Sequence, residues 1–353
     1  MRPLPDVLTP AQVAQTVDAI AQAQQPCGAL PWADGHTDPW DHVESAMALV
    51  LGGRLDQARA AYAWLERTQA ADGSWATSYD GTTVLDASVD TNQCAYVAVG
   101  LWQWHLVTGD RTLVAELWPL VRRALAFVVG LQLPGGQIAW SRGPDGVVSR
   151  DALLTGSAST YQSLRCGVAL AELVGEPEPG WEVAAGLLQH AVAHHPETFL
   201  DKARFSMDWY YPVLGGAVRG AAGEAHLRSR WDEFVVDGCG VRCVADRPWV
   251  TGAETAELAL ALVALGHDDR AHRLLADVQH LRHDDGSYWT GLVFDEDVRW
   301  PEERSAWTAA AVVLADDALR GGTSRGLFTG VDLPTGVVLP ADACHDACVS
   351  TPR

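Results

Sequence analysis

Apolar residues recur at helical spacing along almost the whole 353-residue chain, and no other feature of the sequence limits the possible folds as strongly. They fall at positions i, i+3, i+4 and i+7, as one face of a helix requires, whereas the alternation of a half-buried strand is scarce. With Gly-containing links taken as helix ends, the pattern predicts about twelve helices. Their predicted ranges are 9–24, 40–52, 55–70, 91–107, 112–131, 157–174, 180–195, 207–220, 223–233, 252–265, 267–281 and 302–319.

The connections between these helices alternate between short links and long polar loops. This alternation indicates helix pairs in which an outer helix leads through a long loop into a more apolar inner helix. We therefore predict an all-α fold, an α/α toroid (barrel) of about six helix pairs whose even-numbered helices line the interior. Residues 1–320 are predicted to form this single domain. Residues 321–353 are predicted to be an irregular tail, ending in Cys344 to Cys348, that packs loosely or crosses the barrel's other face.

The charge of the chain limits its partners. The formal net charge is −20 and Lys202 is the only lysine, so we expect neither nucleic acid nor an anionic membrane as a partner, whereas a neutral sugar meets no repulsion. No apolar run is long enough to cross a bilayer, and the first ten residues contain no signal-peptide core. We therefore expect a cytoplasmic protein whose seven cysteines are more often free thiols than bridges.

The starts of the predicted inner helices are rich in carboxylates, hydroxyls and aromatic rings. Helix capping explains their Ser, Thr and Asp residues, but it does not explain the concentration of Trp and Tyr. Because all six starts are predicted to face one end of the barrel, they form a concave polar and aromatic pocket. The starts are residues 38–44, 88–93, 155–161, 206–212, 249–257 and 299–307.

One element, Gln69-Ala-Ala-Asp-Gly-Ser-Trp75, resembles the Q-x-x-x-G-x-W repeat of squalene cyclases and related terpenoid toroids. The segment from Gln279 to Trp289 is a looser copy with two extra residues. The resemblance implies a toroid, because the repeat ties a helix end to the next turn. The acid motif D-x-D-D of the cyclases is absent, since Asp86 and Asp90 have the wrong spacing, and this argues against terpene cyclisation.

Protein prenyltransferase β-subunits share the toroid and bind zinc through an Asp-x-Cys pair and a later His. Asp237-Gly-Cys239 has that spacing, with His280 or His283 as a third ligand, so the resemblance implies an alternative function as a zinc-dependent prenyltransferase or terpenoid-toroid enzyme. The competing interpretation, which we favour, is a turn at Asp237 followed by buried thiols at Cys239 and Cys243.

Two further stretches, Asp38-Pro-Trp-Asp-His-Val-Glu44 and Val250-Thr-Gly-Ala-Glu-Thr-Ala-Glu257, resemble α/α-toroid glycoside hydrolases of the prenyltransferase-like actinobacterial group, in a chain of similar build over nearly its full length. Within that group the chain is similar to endo-α-mannosidases that trim methylmannose polysaccharide. The resemblance implies an inverting hydrolase of an α-linked oligo- or polysaccharide, with an α-mannan as the expected substrate. A toroid that binds glycan without cleaving it is the other alternative.

Inverting hydrolysis needs a protonated carboxyl and an ionised carboxylate on opposite sides of the sugar, about 6.5–9.5 Å apart. Glu254 is the predicted acid, because small apolar neighbours raise the pKa of a carboxyl group. Asp41 is the predicted base, because polar neighbours keep a carboxyl group ionised. The sequence leaves these two roles interchangeable. Glu257 is the alternative acid, and a capping box between Thr251 and Glu254 is the purely structural interpretation.

The remaining polar and aromatic side chains at these starts are the candidates for binding sugar. Aromatic rings stack on sugar C–H faces, whereas His, Asp and Glu side chains bind hydroxyl groups. The candidates are His36, Trp40, His42, Asp90, Asp208, Trp209, Tyr210, Trp249, Glu257, Trp289 and Trp300. The acidic residues at 295–297 and 302–303 are either solvated or a calcium site, and we favour the first. No cofactor and no resident metal are predicted, and the sequence does not indicate an oligomeric state.

Overall fold

The computed structural model describes residues 6–340, and most of them are helical. The first helices are α1 (Pro10–Ala23), α2 (Pro39–Leu51), α3 (Leu55–Thr68), α4 (Thr91–Ala95), α5 (Val97–Thr108), α6 (Arg111–Val129), α7 (Leu154–Val174) and α8 (Pro179–His194). They are followed by α9 (Ser206–Leu214), α10 (Gly220–Ser229), α11 (Trp231–Phe234), α12 (Gly252–Ala264), α13 (Asp268–Asp277), α14 (Ala306–Leu319) and α15 (Thr323–Thr329). Every predicted helix is present, although two are divided in two and α9 ends six residues earlier than predicted.

Six helices form a closed inner ring. In the order α2, α5, α7, α9, α12 and α14, each packs against the next, and α14 packs against α2. This ring confirms the predicted toroid. An inner helix is enclosed on nearly all sides, which explains why its sequence is a nearly continuous run of apolar and small residues. In α12, for example, residues 252–263 are all buried.

The remaining long helices surround this ring. Helix α1 packs between α14 and α2, α6 packs between α5 and α7, and α13 packs between α12 and α14, while α3, α8 and α10 each cover one inner helix. These outer helices bury only one stripe, which in α13 consists of Ala271, Leu274 and Leu275. No helix among residues 6–340 combines the length and the hydropathy that a membrane span requires.

The same tight turn follows α1, α3 and α6, and it joins each of these outer helices to the next one. A glutamine side chain donates one hydrogen bond to the carbonyl of the glycine four residues later and another to a carbonyl of the next outer helix. The pairs are Gln24 and Gly28, Gln69 and Gly73, and Gln132 and Gly136. At Gly73, where φ is +94°, an added Cβ would lie 2.3 Å from the carbonyl oxygen of Arg123, so only glycine fits.

A fourth copy of this turn follows α13 in a register that differs from the sequence prediction. Arg282 occupies the glutamine position and Gly286 the glycine position, so the looser copy begins at 282 rather than 279 and contains no extra residues. The Arg282 guanidinium donates to Gln15 of α1 at 2.6 Å, which joins the last outer helix to the first. Arginine replaces glutamine here, which is why the motif was misaligned.

Short strands occupy the long connections that precede the inner helices. They are β1 (His36–Thr37), β2 (Ser78–Asp80), β3 (Thr83–Asp86), β4 (Val89–Asp90), β5 (Ser141–Arg142), β6 (Val235–Val236), β7 (Gly240–Arg242), β8 (Trp249–Thr251), β9 (Gly291–Val293) and β10 (Val298–Arg299). The largest sheet is antiparallel, in the order β10-β9-β8-β7-β6. The sequence analysis did not predict this sheet, because strands of two or three residues are too short to show a two-residue period.

The segment after residue 320 closes the end of the barrel that the C-termini of the inner helices form, which we call the lower end. Helix α15 contacts α5, α12 and α14. Because α5 and α12 stand on opposite sides of the ring, α15 lies across the opening, with Leu327 and Phe328 buried. Residues 323–329 are thus helical where the sequence predicted an irregular tail, and they cross the barrel's other face, which was one of the two courses considered for the tail. Residues 341–353, with Cys344 and Cys348, lie outside the described residues.

Candidate active site

The starts of four inner-ring segments converge on one open cleft at the opposite end, which we call the upper end. The cleft has a volume of about 510 Å³ and is lined by the starts of α2, α4, α9 and α14 and by the loops before α2 and α4. Its lining residues are Trp32, His36, Asp38, Trp40, Asp41, Thr77, Ser78, Gln93, Met207, Glu303 and Trp307. Four of the six predicted helix starts therefore meet in a cleft of the size that commonly holds a small ligand, whereas residues 155–161 and 249–257 do not line it.

Asp38 orders one wall of this cleft. Its Oδ1 accepts the backbone N–H groups of Trp40 and Asp41, both at 3.0 Å, and so caps α2. Its Oδ2 accepts the indole N–H of Trp32 at 3.0 Å. The Trp32 ring lies parallel to the imidazole of His36, with ring centroids 5.8 Å apart. One capping carboxylate thus fixes both the helix start and an aromatic surface.

Asp41 lies in the first turn of α2 and faces the cleft. Burial raises the pKa of Asp41 well above its ordinary value, and a hydrogen bond with Asp38 and the nearby charge of Glu44 raise it further. These surroundings favour the protonated form of Asp41 over a wider pH range than in an ordinary aspartate. The neighbours that were expected to keep Asp41 ionised include Asp38 and Glu44, whose charges raise its pKa instead.

Two further carboxyl groups lie in the barrel interior. Glu44 and Glu257 are 2% and 1% exposed. The hydroxyls of Tyr210 and Tyr211 each donate to one oxygen of Glu257, from Tyr211 at 2.6 Å. Burial raises the pKa of Glu257 to about 8, even though these two hydrogen bonds lower it. Glu257 and Tyr210 were predicted to bind sugar, but the structure buries both and bonds them to each other.

Glu254 lies in the first turn of α12. Helices α2 and α12 both pack against α14, as predicted, so Asp41 and Glu254 stand on the two helices that flank α14. Glu254 is 4% exposed and is not among the cleft-lining residues. One of its carboxylate oxygens has no hydrogen-bond partner among the described residues. Thr251 makes no side-chain capping bond, so the capping-box interpretation of Glu254 is wrong.

Of the two predicted histidines, only His36 reaches the cleft. His42 is fully buried: its Nδ1 accepts the backbone N–H of Leu30 at 3.1 Å, and its Nε2 donates to the carbonyl of Ala61 at 3.0 Å. Burial lowers the pKa of His42 to about 4, so the ring is neutral at physiological pH. The prediction that His42 binds sugar hydroxyls is wrong, because both ring nitrogens hold the α2–α3 region together.

The two predicted aspartates at other helix starts do not line the cleft. Asp90 caps α4 through Oδ1, and its Oδ2 accepts the indole N–H of Trp140 at 2.8 Å. Asp208 accepts the hydroxyl of Thr155 at 2.5 Å and borders a separate cavity of about 590 Å³. Trp209 is 2% exposed and stacks on Phe234. Trp209 is therefore a core residue rather than an open stacking surface.

The other predicted stacking residues have different positions. Trp40 lies in the cleft, as predicted. Trp249 and Trp300 lie beside the five-stranded sheet with ring centroids 4.7 Å apart, and Trp300 is 52% exposed. Trp289 packs near the Arg304 guanidinium, 5.5 Å from its ring. These last three residues do not line the cleft, although Trp300 precedes the cleft residue Glu303 by only three positions.

Several cleft residues were absent from the sequence-derived set. They are Trp32, Asp38, Thr77, Ser78, Gln93, Met207, Glu303 and Trp307. Five of them lie within the predicted helix starts, so extending the candidates to every residue of those starts would have found them; they are Asp38, Gln93, Met207, Glu303 and Trp307. Thr77 and Ser78 come from a loop and carried no signal. Glu303 was treated as part of a solvated acidic run, yet it accepts a hydrogen bond from Thr290 at 3.3 Å and faces the cleft.

The alternative zinc site does not form. Asp237 is exposed in the β6–β7 hairpin, where Gly238 has a φ of +72°. The Nε2 of His280 donates to the carbonyl of Cys239 at 2.9 Å, so this ring contacts backbone rather than a shared centre with Asp237. Residues 6–340 contain no group of three or more His, Cys, Asp or Glu side chains arranged to hold a metal ion, so the acidic residues at 295–297 form no calcium cage either.

Comparison with known proteins relates this architecture to enzymes that act on sugars. No family model matches the chain. A glycosidase variant in complex with glucose superposes with a TM-score of 0.70 at 15% sequence identity, covering 89% of this chain and 99% of that one. A D-mannose isomerase superposes with a TM-score of 0.67 at 10% identity, covering 88% and 96%. At such low identities these structures establish the shared fold.

A relative in sequence is much closer. The chain is 56% identical over 352 residues, 99% of its length and 97% of the relative's, to the MMP endo-(1,4)-3-O-methyl-alpha-D-mannosidase of Mycolicibacterium hassiacum. Identity of this extent covers the upper-end cleft and the whole barrel, and it confirms the glycoside hydrolase family that the sequence resembles. The chain belongs to the family of this endo-mannosidase and is a glycoside hydrolase.

Proposed function

We propose that the protein hydrolyses internal α-1,4 bonds of a mannan carrying 3-O-methyl groups, which is the activity in the name of its 56% identical relative. This relationship over nearly the full length of both chains is the observation that carries the proposal. The methylated sugar is a substrate with less polar edges than mannose. A cleft bordered by Trp32, Trp40, Trp307 and Met207 supplies apolar surface for such edges.

The proposed catalytic pair is Asp41 and Glu254, with roles reversed from the sequence prediction. Asp41 faces the cleft, and its raised pKa favours the protonated form that donation to the leaving glycosidic oxygen requires. Glu254 has a carboxylate oxygen without a partner among the described residues, which leaves it available to accept a proton from water. Water attack on the face opposite Asp41 inverts the configuration at the anomeric carbon.

Glu303 is a second candidate for the base. It lines the same cleft as Asp41 and stands just before α14, which packs against both α2 and α12. Unlike Glu254, it is already in contact with the open volume of the cleft. The two candidates therefore differ in access, and substitution of each one decides between them.

The experiment is hydrolysis of a panel of α-1,4 mannans, with and without 3-O-methyl groups, and of α-glucans. We expect cleavage of the methylated mannan, products of inverted configuration seen by NMR, and a loss of at least about a hundredfold in kcat for Asp41→Asn. Glu254→Gln is expected to show a similar loss, and Glu303→Gln a smaller one. The matched controls are Asp56→Asn and Glu302→Gln, which alter carboxylates outside the cleft.

Different outcomes remove different parts of the proposal. Cleavage of glucans but not of mannans would overturn the substrate. Near-normal turnover by Glu254→Gln together with loss of activity in Glu303→Gln would transfer the role of base to Glu303. Near-normal turnover by Asp41→Asn would remove Asp41 as the acid while leaving the glycosidase class intact.

We also place the protein in the cytoplasm. The described cysteines, Cys27, Cys94, Cys166, Cys239 and Cys243, are all unpaired, as is usual in a reducing compartment. Fractionation of cells followed by immunodetection tests this location.

A further inference from the structure

The lower end of the barrel contains a smaller cavity, of about 310 Å³, that is remote from the cleft. It exists because the inner helices differ in length. Helix α9 has 9 residues and its neighbour α7 has 21, which correspond to about 14 Å and about 32 Å at 1.5 Å per residue. The barrel wall is therefore incomplete below α9, and residues from 327 to 336 cover the gap.

Two arginines line this cavity. One lies on α7 and the other lies shortly after the end of α9. Arg165 projects from α7 and is 4% exposed, and Arg219 follows the end of α9. Arg165 donates a hydrogen bond to the carbonyl of Pro334. Arg219 donates to the carbonyls of Val213 and Phe328. Backbone carbonyls thus orient both guanidinium groups, but they supply no negative charge.

Neither guanidinium has a counter-charge among the described residues. No described carboxylate lies within 4.0 Å of Arg165 or Arg219, whereas ten of the twenty other described arginines form ion pairs. The buried Nη1 of Arg165 and the buried Nε2 of Gln162, which also lines the cavity, have no hydrogen-bond partner there either. Unpaired buried charges and unpartnered buried N–H groups are costly, and an anion would relieve both costs.

We propose that this cavity binds a small oxyanion of the phosphate class, held between Arg165 and Arg219 with Gln162 as a further donor. Guanidinium groups present pairs of N–H donors that match the oxygens of phosphate, and the unused donors here point to such a ligand. At about 30 Å³ per water molecule, the cavity holds roughly ten waters, so a phosphate monoester also fits. The ligand would join α7 and the end of α9 to the segment that covers them.

The site differs from the cleft in charge and in the end of the barrel at which it lies. An acidic chain with a net charge of −20 repels anions at long range, so binding depends on these two local cations. Arg219 remains cationic at physiological pH, since burial lowers its pKa only to about 10. Because no residue of the cavity lines the cleft, failure of this proposal leaves the proposed hydrolase activity untouched.

Thermal unfolding of the full-length protein in inorganic phosphate, against sodium chloride of equal ionic strength, tests the proposal. A ligand that binds only the folded state raises Tm with its concentration. We expect this rise for the wild type and for the control Arg122→Gln, which alters an exposed arginine paired with Glu178. In Arg165→Gln and Arg219→Gln we expect phosphate affinity, measured by calorimetry, to fall by at least about tenfold.

A variant that loses binding must still be folded, so mannan hydrolysis and circular dichroism near wild-type levels are required of it. Arg165→Lys, which keeps the charge but not the paired donors, is expected to bind phosphate with intermediate affinity. Glycerol 2-phosphate in place of inorganic phosphate shows whether an ester is accepted. The proposal is overturned if the wild type gains no stability from phosphate beyond chloride, or if Arg165→Gln and Arg219→Gln bind as well as the wild type.

Discussion

The two ends of the barrel are built by the same inner helices, yet they differ in charge and in access. At the upper end, Asp38, Asp41 and Glu303 stand among indole rings around an open cleft. At the lower end, Arg165 and Arg219 stand beneath the covering segment 327–336. The inner helices direct their N-termini towards the cleft, where the helix dipole stabilises negative charge, and their C-termini towards the lower end, where it stabilises positive charge.

This difference shows that the direction of the inner helices determines which end of the barrel carries the proposed catalytic groups and which end is covered. Long connections and short strands build the rim of the cleft, and they leave it open to a polymer. The lower end instead receives α15, which buries Leu327 and Phe328 across the ring. A substitution at the upper end should therefore change catalysis, and one at the lower end should change stability.

The largest expected effect tests this division at the lower end. Phe328→Ala removes a buried ring from the cover of the barrel and is expected to lower the free energy of unfolding by about 3–5 kcal/mol. Urea unfolding measures this loss, and kcat on methylated mannan should stay within about twofold. Val331→Ala, at an exposed residue three positions on, is the control. A large fall in kcat for folded Phe328→Ala would break the division between the two ends.

The second prediction concerns the buried acid below the cleft. Folded Glu257 holds its proton to about pH 8, whereas the ordinary value is 4.5, so folding takes up a proton between these pH values. The free energy of unfolding should decrease as pH rises from about 4.5 to 8, by at most ~1.4 kcal/mol per pH unit from this group. Glu257→Gln should flatten the dependence measured by urea unfolding, whereas Glu302→Gln should not. An unchanged slope would contradict the assignment.

The third prediction sharpens the electrostatic account of the upper end. Asp38 raises the pKa of Asp41, so Asp38→Asn should lower it and move the alkaline limb of kcat/KM to lower pH, by about one unit. Asparagine can retain the N-cap through its single side-chain oxygen, so the fold should persist, although its amide NH2 group cannot accept the indole N–H of Trp32 and that one hydrogen bond is lost. A pH profile for Asp56→Asn serves as the comparison. If the alkaline limb of kcat/KM for Asp38→Asn stays at the wild-type pH, then Asp38 shapes the cleft without raising the pKa of Asp41.

The smallest effect is expected at the rim. Trp300 is 52% exposed and precedes Glu303 by three residues, so a long substrate has access to its ring. Trp300→Ala should raise KM for polymeric mannan several-fold, the equivalent of about 1 kcal/mol, while KM for a short oligosaccharide stays unchanged. Val298→Ala, another exposed residue of the same strand region, is the control. Equal effects on long and short substrates would place Trp300 outside the polymer's path.

The fold was largely predictable because its signal repeats. Inner helices such as α12 are apolar on all faces and outer helices such as α13 on one, so periodicity separates them without any three-dimensional information. The carboxylates of the cleft were less predictable. Asp41 was found, but its pKa is raised mainly by burial and by Asp38, with smaller contributions from Glu44 and from Glu257, which lies more than 200 residues away. Trp32 lies outside the helical pattern and Glu303 lies at the predicted start of the last helix, and only the closed ring brings them together.

The sequence analysis also assigned too many residues of the helix starts to the surface of the cleft. His42, Trp209 and Tyr210 have the residue types of a sugar site, yet all three are buried, His42 and Trp209 against outer helices and Tyr210 against Glu257 in the barrel interior. A shift of one or two positions on an inner helix changes a side chain from the cleft to the core, and sequence boundaries are uncertain by at least that amount.

The contact between α2 and α14 has a consequence for synthesis. These two helices lie near opposite ends of the polypeptide, and α1 and Arg282 add to the same junction. The inner ring therefore cannot close during synthesis until almost the last helix has left the ribosome. Until then, the apolar side chains of α2 that pack against α14 have no partner. Closing the ring requires contacts between residues that are far apart in the sequence. We therefore expect ring closure to be the slowest step of folding and the step that a chaperone would assist most.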